Sequence, residues 1–178
     1  MAIANSAPDP RLSIVLLALL ACNTGYYIIA GRFSEALDSL AWYALLILFM
    51  LETNHRRRSI RTLALMRGMR WLATIAIAVT AVLYVLEAEW LDAANLFLWI
   101  AVVALLEVEV RRPAIVATHH RRFARAAALL YAALGVLLLI WLARGEWMDA
   151  WDAALWLSAF GLLELKLLAR ANTIKNIV

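Results

Sequence analysis

Six mostly apolar runs, at 12–30, 36–51, 71–86, 90–108, 124–142 and 147–168, constrain this chain most strongly. A helix needs roughly 20 apolar residues to cross a bilayer. The second and third runs are short and are expected to borrow flanking residues. The chain is 66% hydrophobic, against roughly 45–50% in soluble domains. A soluble domain of this length cannot hide so much apolar surface. Three prolines and six glycines break the sequence, and the short alternating segments of a membrane barrel are not visible. The expected class is an all-α, polytopic membrane protein with six transmembrane helices.

The first run is preceded by Arg11 alone, behind "SAPDP". It lacks the charged head and small-residue cleavage site of a signal peptide, so it is read as a helix. Residues 1–11 are expected to form a flexible N-terminal tail, 12–170 a single six-helix membrane domain and 171–178 a C-terminal tail.

Internal repetition organises the runs into pairs. "EWLDAANLFLW" begins at Glu89 and "EWMDAWDAALW" at Glu146, with a weaker copy, "EALDSLAWYAL", at Glu35. A second landmark, Leu-Glu, recurs at Glu52, Glu107 and Glu164. Both landmarks give a period of 54–57 residues, and repetition of this kind is an architectural sign. The repeats, about 12–54, 70–110 and 124–168, are three two-helix hairpins, expected to form a pseudo-threefold bundle. A row of three hairpins is the alternative.

Arginine sets the expected orientation. The connections "NHRRRSIRTLALMRGMR" and "RRPAIVATHHRRFAR" hold eleven arginines, while the other three connections hold only Arg32 and Arg144. By the positive-inside rule both arginine-rich linkers and both termini lie in the cytoplasm, in a bacterial-type inner membrane. Partners expected from this are the bilayer and anionic headgroups at the linkers, and a homo-oligomer or larger membrane complex. Nucleic acid is not expected, because aromatics do not interleave the arginines.

The acids divide into two sets. Glu35, Asp38, Glu89, Asp92, Glu146, Asp149 and Asp152 lie at the outer starts of the even-numbered helices. There they serve as helix caps and dipole partners, or as an acidic vestibule that concentrates cations. At 100° per residue Asp92, Asn95 and Trp99 share a face, as do Asp149, Asp152 and Trp156 and, in the first copy, Asp38 and Trp42. Such polar faces avoid lipid, so Trp42, Trp99 and Trp156 are expected to face the bundle. Trp90 and Trp147 are placed as interface anchors.

Glu52, Glu107 and Glu164 form the inner set. Glu107 stands roughly 22 Å along the helix from Asp92, close to the cytoplasmic limit of the hydrocarbon. Arg56 and Arg111 follow Glu52 and Glu107 by four residues, the spacing of a helix-surface ion pair; Leu168 takes that place after Glu164. The three glutamates are therefore read either as interfacial pairs or as a cation- or proton-binding ring.

The single cysteine, Cys22, excludes an internal disulfide and a multi-cysteine metal site. His55, His119 and His120 all neighbour arginines, so haem, copper or other metal ligation in the membrane is not expected, and no other cofactor is indicated. Catalytic motifs such as a P-loop or H-E-x-x-H are missing, which makes an enzyme the least favoured class. Two function classes stand: a small transporter or channel for a cation or proton, and a non-catalytic accessory or structural subunit of a larger membrane complex.

Overall fold

The computed structural model describes the backbone of residues 10–54 and 60–175; side chains of 10, 13, 52–54, 60, 109, 110, 113, 117 and 163–175 stand outside that description. Within these limits the chain is all helical. The elements run α1 (Pro10–Ala30), α2 (Phe33–Asn54), α3 (Ile60–Leu86), α4 (Trp90–Arg111), α5 (Pro113–Arg144) and α6 (Trp147–Lys175). Four stretches are long and apolar enough to cross a membrane: Phe33–Leu51, Arg61–Leu86, Trp90–Val108 and Thr118–Arg144, with a shorter apolar helix at Ile14–Ala30. This is the architecture of a helical membrane protein. The expected N-terminal tail falls largely outside the described residues, and α6 continues to Lys175, into the segment expected to be the C-terminal tail.

Two helices outrun their apolar cores. α3 begins eleven residues before Trp71, and α5 eleven before Ala124. Much of each arginine-rich linker is thus helix rather than loop, because Arg, Leu, Ala and Met are good helix formers whether or not they are buried. Proline punctuates this region. Arg112, just before Pro113, leaves the helical region at φ −129°, ψ 54°, as a residue preceding proline tends to do. α5 is kinked at His119 (φ −118°, ψ 25°).

The chain divides into two compact units. One is 21–130; the other combines the first 20 residues with 131–178. In the 21–130 unit α3 packs against both α2 and α4. Met66, Ala73, Ile77, Thr80 and Tyr84 form its buried stripe, at the three-, four- and seven-residue steps that keep one helix face inward. From α4 come Ala93, Leu96, Trp99 and Val102, and from α2 Ser34, Ser39, Ala41, Trp42 and Leu48. In the second unit Leu20, Leu134, Leu137, Trp141, Ala150, Ala153, Leu155 and Trp156 are buried.

Two turns share one backbone design. After α3, Ala88 takes φ 59°, its N–H bonds Val85 O at 3.3 Å, and the Glu89 N–H bonds Tyr84 O at 2.9 Å. After α5, Gly145 takes φ 76°, its N–H bonds Leu142 O at 3.2 Å, and the Glu146 N–H bonds Trp141 O at 2.9 Å. Both are Schellman ends: a left-handed residue reverses the chain and satisfies the last carbonyls of the helix. The repeated glutamate closes one helix and opens the next. The α1–α2 turn differs, with Gly31 N–H bonding Tyr27 O at 3.0 Å in ordinary helical fashion.

Candidate functional site

Helix starts give the register of the residues that open the even-numbered helices. Phe33, Trp90 and Trp147 each open an even-numbered helix and stand 57 residues apart in turn (33 to 90, 90 to 147). All three are exposed aromatics, at 74%, 65% and 67%, which suits side chains at the depth of the headgroups. This register pairs Glu35 with Asp92 and Asp149, and Asp38 with Asn95 and Asp152. It lies three residues from the alignment that the acidic heads suggest for the first copy. Trp42, Trp99 and Trp156 then become equivalent, and all three are buried, at 8%, 5% and 6%. The indole Nε1–H of Trp156 donates to Asp152 Oδ1 at 3.1 Å, so these two do share one face.

One end of the 21–130 unit gathers three of the seven candidate acids, Glu35, Glu89 and Asp92, around one arginine. Arg32 Nε donates to Glu35 Oε1 at 2.7 Å, and Arg32 Nη2 approaches the same oxygen at 2.6 Å. Arg32 Nη1 pairs with Glu89, and Nη2 reaches Asp92 Oδ2 at 3.4 Å. Glu87 stands 4.0 Å from Nη1. Partial burial disfavours the guanidinium charge, but the bonds to Glu35 and Glu89 outweigh it and hold the group above its already high ordinary pKa. The Arg32 backbone N–H also donates to Glu35 Oε2 at 2.9 Å. Glu35 is therefore a helix cap, returning from the third helical position to the N-cap amide. Glu89 makes no side-chain cap bond; its carboxylate serves Arg32 instead.

Below this network lie polar side chains that are ordinarily rare inside a spanning unit. Ser34, fully buried, donates to Glu87 Oε2 at 2.6 Å. Buried Ser39 donates to Thr24 Oγ1 at 3.0 Å, with Asn23 also buried. The phenols of Tyr27 and Tyr84 are buried as well. Asn95 Oδ1 is enclosed with no hydrogen-bond partner.

In the second unit Glu146 pairs with Arg144 Nε at 2.9 Å. Asp149 stands in the first turn of α6, where a carboxylate complements the helix dipole. Near the C-terminal end of α4, Glu107 is exposed and pairs with Arg111 four residues on. The side chains of Glu52 and Glu164 lie outside the described residues. Counted from the helix starts, Glu107 and Glu164 are each the eighteenth residue, while Glu52 is the twentieth. Two positions amount to about 200° around a helix, so Glu52 holds the register of Glu109.

Arg32, Ser34, Glu87 and Tyr84 were not among the residues singled out from sequence. One signal did point to Arg32: a basic residue on the side that the positive-inside pattern leaves poor in basic residues. Among the described residues, no three His, Cys, Asp or Glu side chains are grouped to hold a metal ion. His119 and His120 are exposed beside the α5 kink, and Cys22 is exposed. Compared with known protein families, curated proteins and solved structures, the chain matches none.

Proposed function

We propose that this chain is a six-span integral membrane protein that handles a small cation or a proton, admitted at the outer end of its 21–130 unit. The observation that carries this reading is the excess of carboxylates there. Glu35, Glu87, Glu89 and Asp92 stand against the guanidinium of Arg32. A charge surplus at a mouth with low-dielectric walls raises the local cation concentration. Asp38, Tyr84, Ser39, Thr24 and Asn23 add polar groups within the spans, and ionisable groups at such depth are by default functional.

In this reading both termini face the cytoplasm of a bacterial-type inner membrane, each hairpin is one copy of the repeat, and Glu52, Glu107 and Glu164 stand toward the cytoplasmic side, with Arg111 as a competing partner for Glu107. Anionic lipid at the arginine-rich segments belongs to the same proposal. Flux through the purified protein in liposomes is the test. Asp38→Asn should abolish or strongly reduce potassium or proton flux while leaving the protein folded; a wild-type protein that carries neither ion ends the transport reading.

A second reading, an accessory subunit of a larger membrane complex or homo-oligomer, is favoured by the Glu107–Arg111 and Arg144–Glu146 pairs. These occupy acids with local partners, as a scaffold would. Its mark is a stable assembly in mild detergent together with no flux.

A further inference from the structure

Three arginines on α5 have no carboxylate within reach along the chain. The sequence holds no Asp or Glu between Glu109 and Glu146. Arg32, Arg111 and Arg144 each pair with a nearby acid. Among the described residues no acid pairs with Arg121, Arg122 or Arg125, and all three are exposed. Arg121 and Arg125 also stand one turn apart, where like charges repel. Such a cluster draws its counter-charge from outside the chain.

The helix face that continues from these arginines is apolar and uncovered. After His119, α5 keeps helical geometry to Arg144. At 100° per residue, Arg121, Arg122, Arg125, Leu129, Val136 and Leu139 fall within an arc of about 100°. The last three are exposed. Leu134, Leu137 and Trp141 lie on the other side of the helix and are buried. The distance from Arg125 to Leu139 is about 21 Å along the helix, more than one leaflet of a hydrocarbon core roughly 30 Å thick.

We propose that this face of α5 binds an anionic glycerophospholipid. The guanidiniums of Arg121, Arg122 and Arg125 take its phosphate, and the stripe of Leu129, Val136 and Leu139 lies along its acyl chains. The inference rests on the lipid part of the reading above and is independent of ion flux. A guanidinium suits the head, because its planar fork bonds two phosphate oxygens at once. The stripe commits the surface to a lipid: a free anion would use the arginines alone, and a nucleic acid would leave the apolar side chains in water. Bulk lipid covers any apolar helix face, but the three cations at the head of this one select for headgroup charge.

The test titrates the full-length protein in mild detergent with dioleoylphosphatidylglycerol, dioleoylphosphatidylcholine or inorganic phosphate. Melting temperature and native mass spectrometry report binding. Phosphatidylglycerol should bind and raise the melting temperature at concentrations where the other two do neither. Arg121→Gln/Arg125→Gln should weaken that binding roughly thirtyfold, the scale of two cations at an anionic surface. Arg67→Gln, at an exposed arginine of α3, should leave it unchanged. Leu129→Ser/Leu139→Ser should weaken it too, a loss that a contact with the headgroup alone would not produce. Equal binding of the two lipids, or full binding by the arginine double variant, overturns the proposal. So does an equal response to inorganic phosphate, which would mark a site for free anions. A protein that stays soluble without detergent and does not enter liposomes would instead end the membrane reading, and this inference with it. Should the double variant not fold, Arg121→Gln and Arg125→Gln carry the measurement singly.

Discussion

Ser34 Oγ donates a 2.6 Å hydrogen bond to Glu87 Oε2, fastening the first turn of α2 to the turn between α3 and α4. The hydroxyl is wholly enclosed, while the carboxylate is about one-third exposed. Ser34→Ala should therefore destabilise the protein by about 1–2 kcal/mol, the range for a hydrogen bond to a charged acceptor that keeps some access to water. A double-mutant cycle with Glu87→Gln, read by thermal unfolding in detergent, should give a coupling of about 1 kcal/mol. Additive effects would show that the bond contributes nothing.

The matching Schellman turns predict opposite signs for two reciprocal substitutions. Gly145 has a positive φ that an L side chain occupies only at a cost of roughly 1–2 kcal/mol. Gly145→Ala should lower stability by about 1 kcal/mol, and no neighbouring atom lies where the new Cβ would go. Ala88 already bears that strain at φ 59°. Ala88→Gly should be neutral or stabilising by up to about 1 kcal/mol, the strain relief being offset by the greater freedom of glycine in the unfolded chain. Loss of stability in Ala88→Gly would contradict the turn geometry.

Gly31 is constrained by space instead of by φ. A Cβ there would stand 2.7 Å from Tyr27 O and 2.9 Å from Glu35 Oε2. Gly31→Ala should push Glu35 off the Arg32 amide and cost about 1–3 kcal/mol, the usual scale of overpacking. Amide exchange at Arg32 should rise along with the loss of melting temperature. A fully stable variant with slow exchange would show that the turn has room to adjust.

Glu107→Gln separates stability from transport. Its pair with Arg111 is exposed on both sides, so removing it should cost no more than about 0.5 kcal/mol. High salt should erase even that difference. Any large change in flux in this variant would then belong to the proposed inner ion site, since folding would be untouched. Wild-type flux in Glu107→Gln would remove Glu107 from the proposed ion-handling residues.

Orientation is testable without knowledge of the function. Cytoplasmic reporters fused after residues 60 and 117 should be active, and one fused near residue 88 should be silent. Cytoplasmic activity at 88 would refute the six-span topology.

Sequence by itself determined the features that depend on near neighbours. The openings of α4 and α6 at Trp90 and Trp147, the end of α1 at Ala30 and the end of α3 at Leu86 follow from apolar runs stopping at turn residues. The Glu107–Arg111 pair was legible for the same reason, since four residues make one helical turn. Extension of α3 and α5 into the arginine-rich segments was not, because hydropathy marks the depth of the bilayer, and helical hydrogen bonds continue past it. Tertiary structure alone decided the candidate site. The partners of Arg32 and Ser34 across the unit lie 53 to 60 residues away, and no local pattern tells a guanidinium which of the outer carboxylates it will meet. The register of the first copy was hidden likewise. Its acidic head matches the other two by composition, but a helix begins where the chain can turn, and the turn before Phe33 uses a closely packed Gly31 where the others use a left-handed residue.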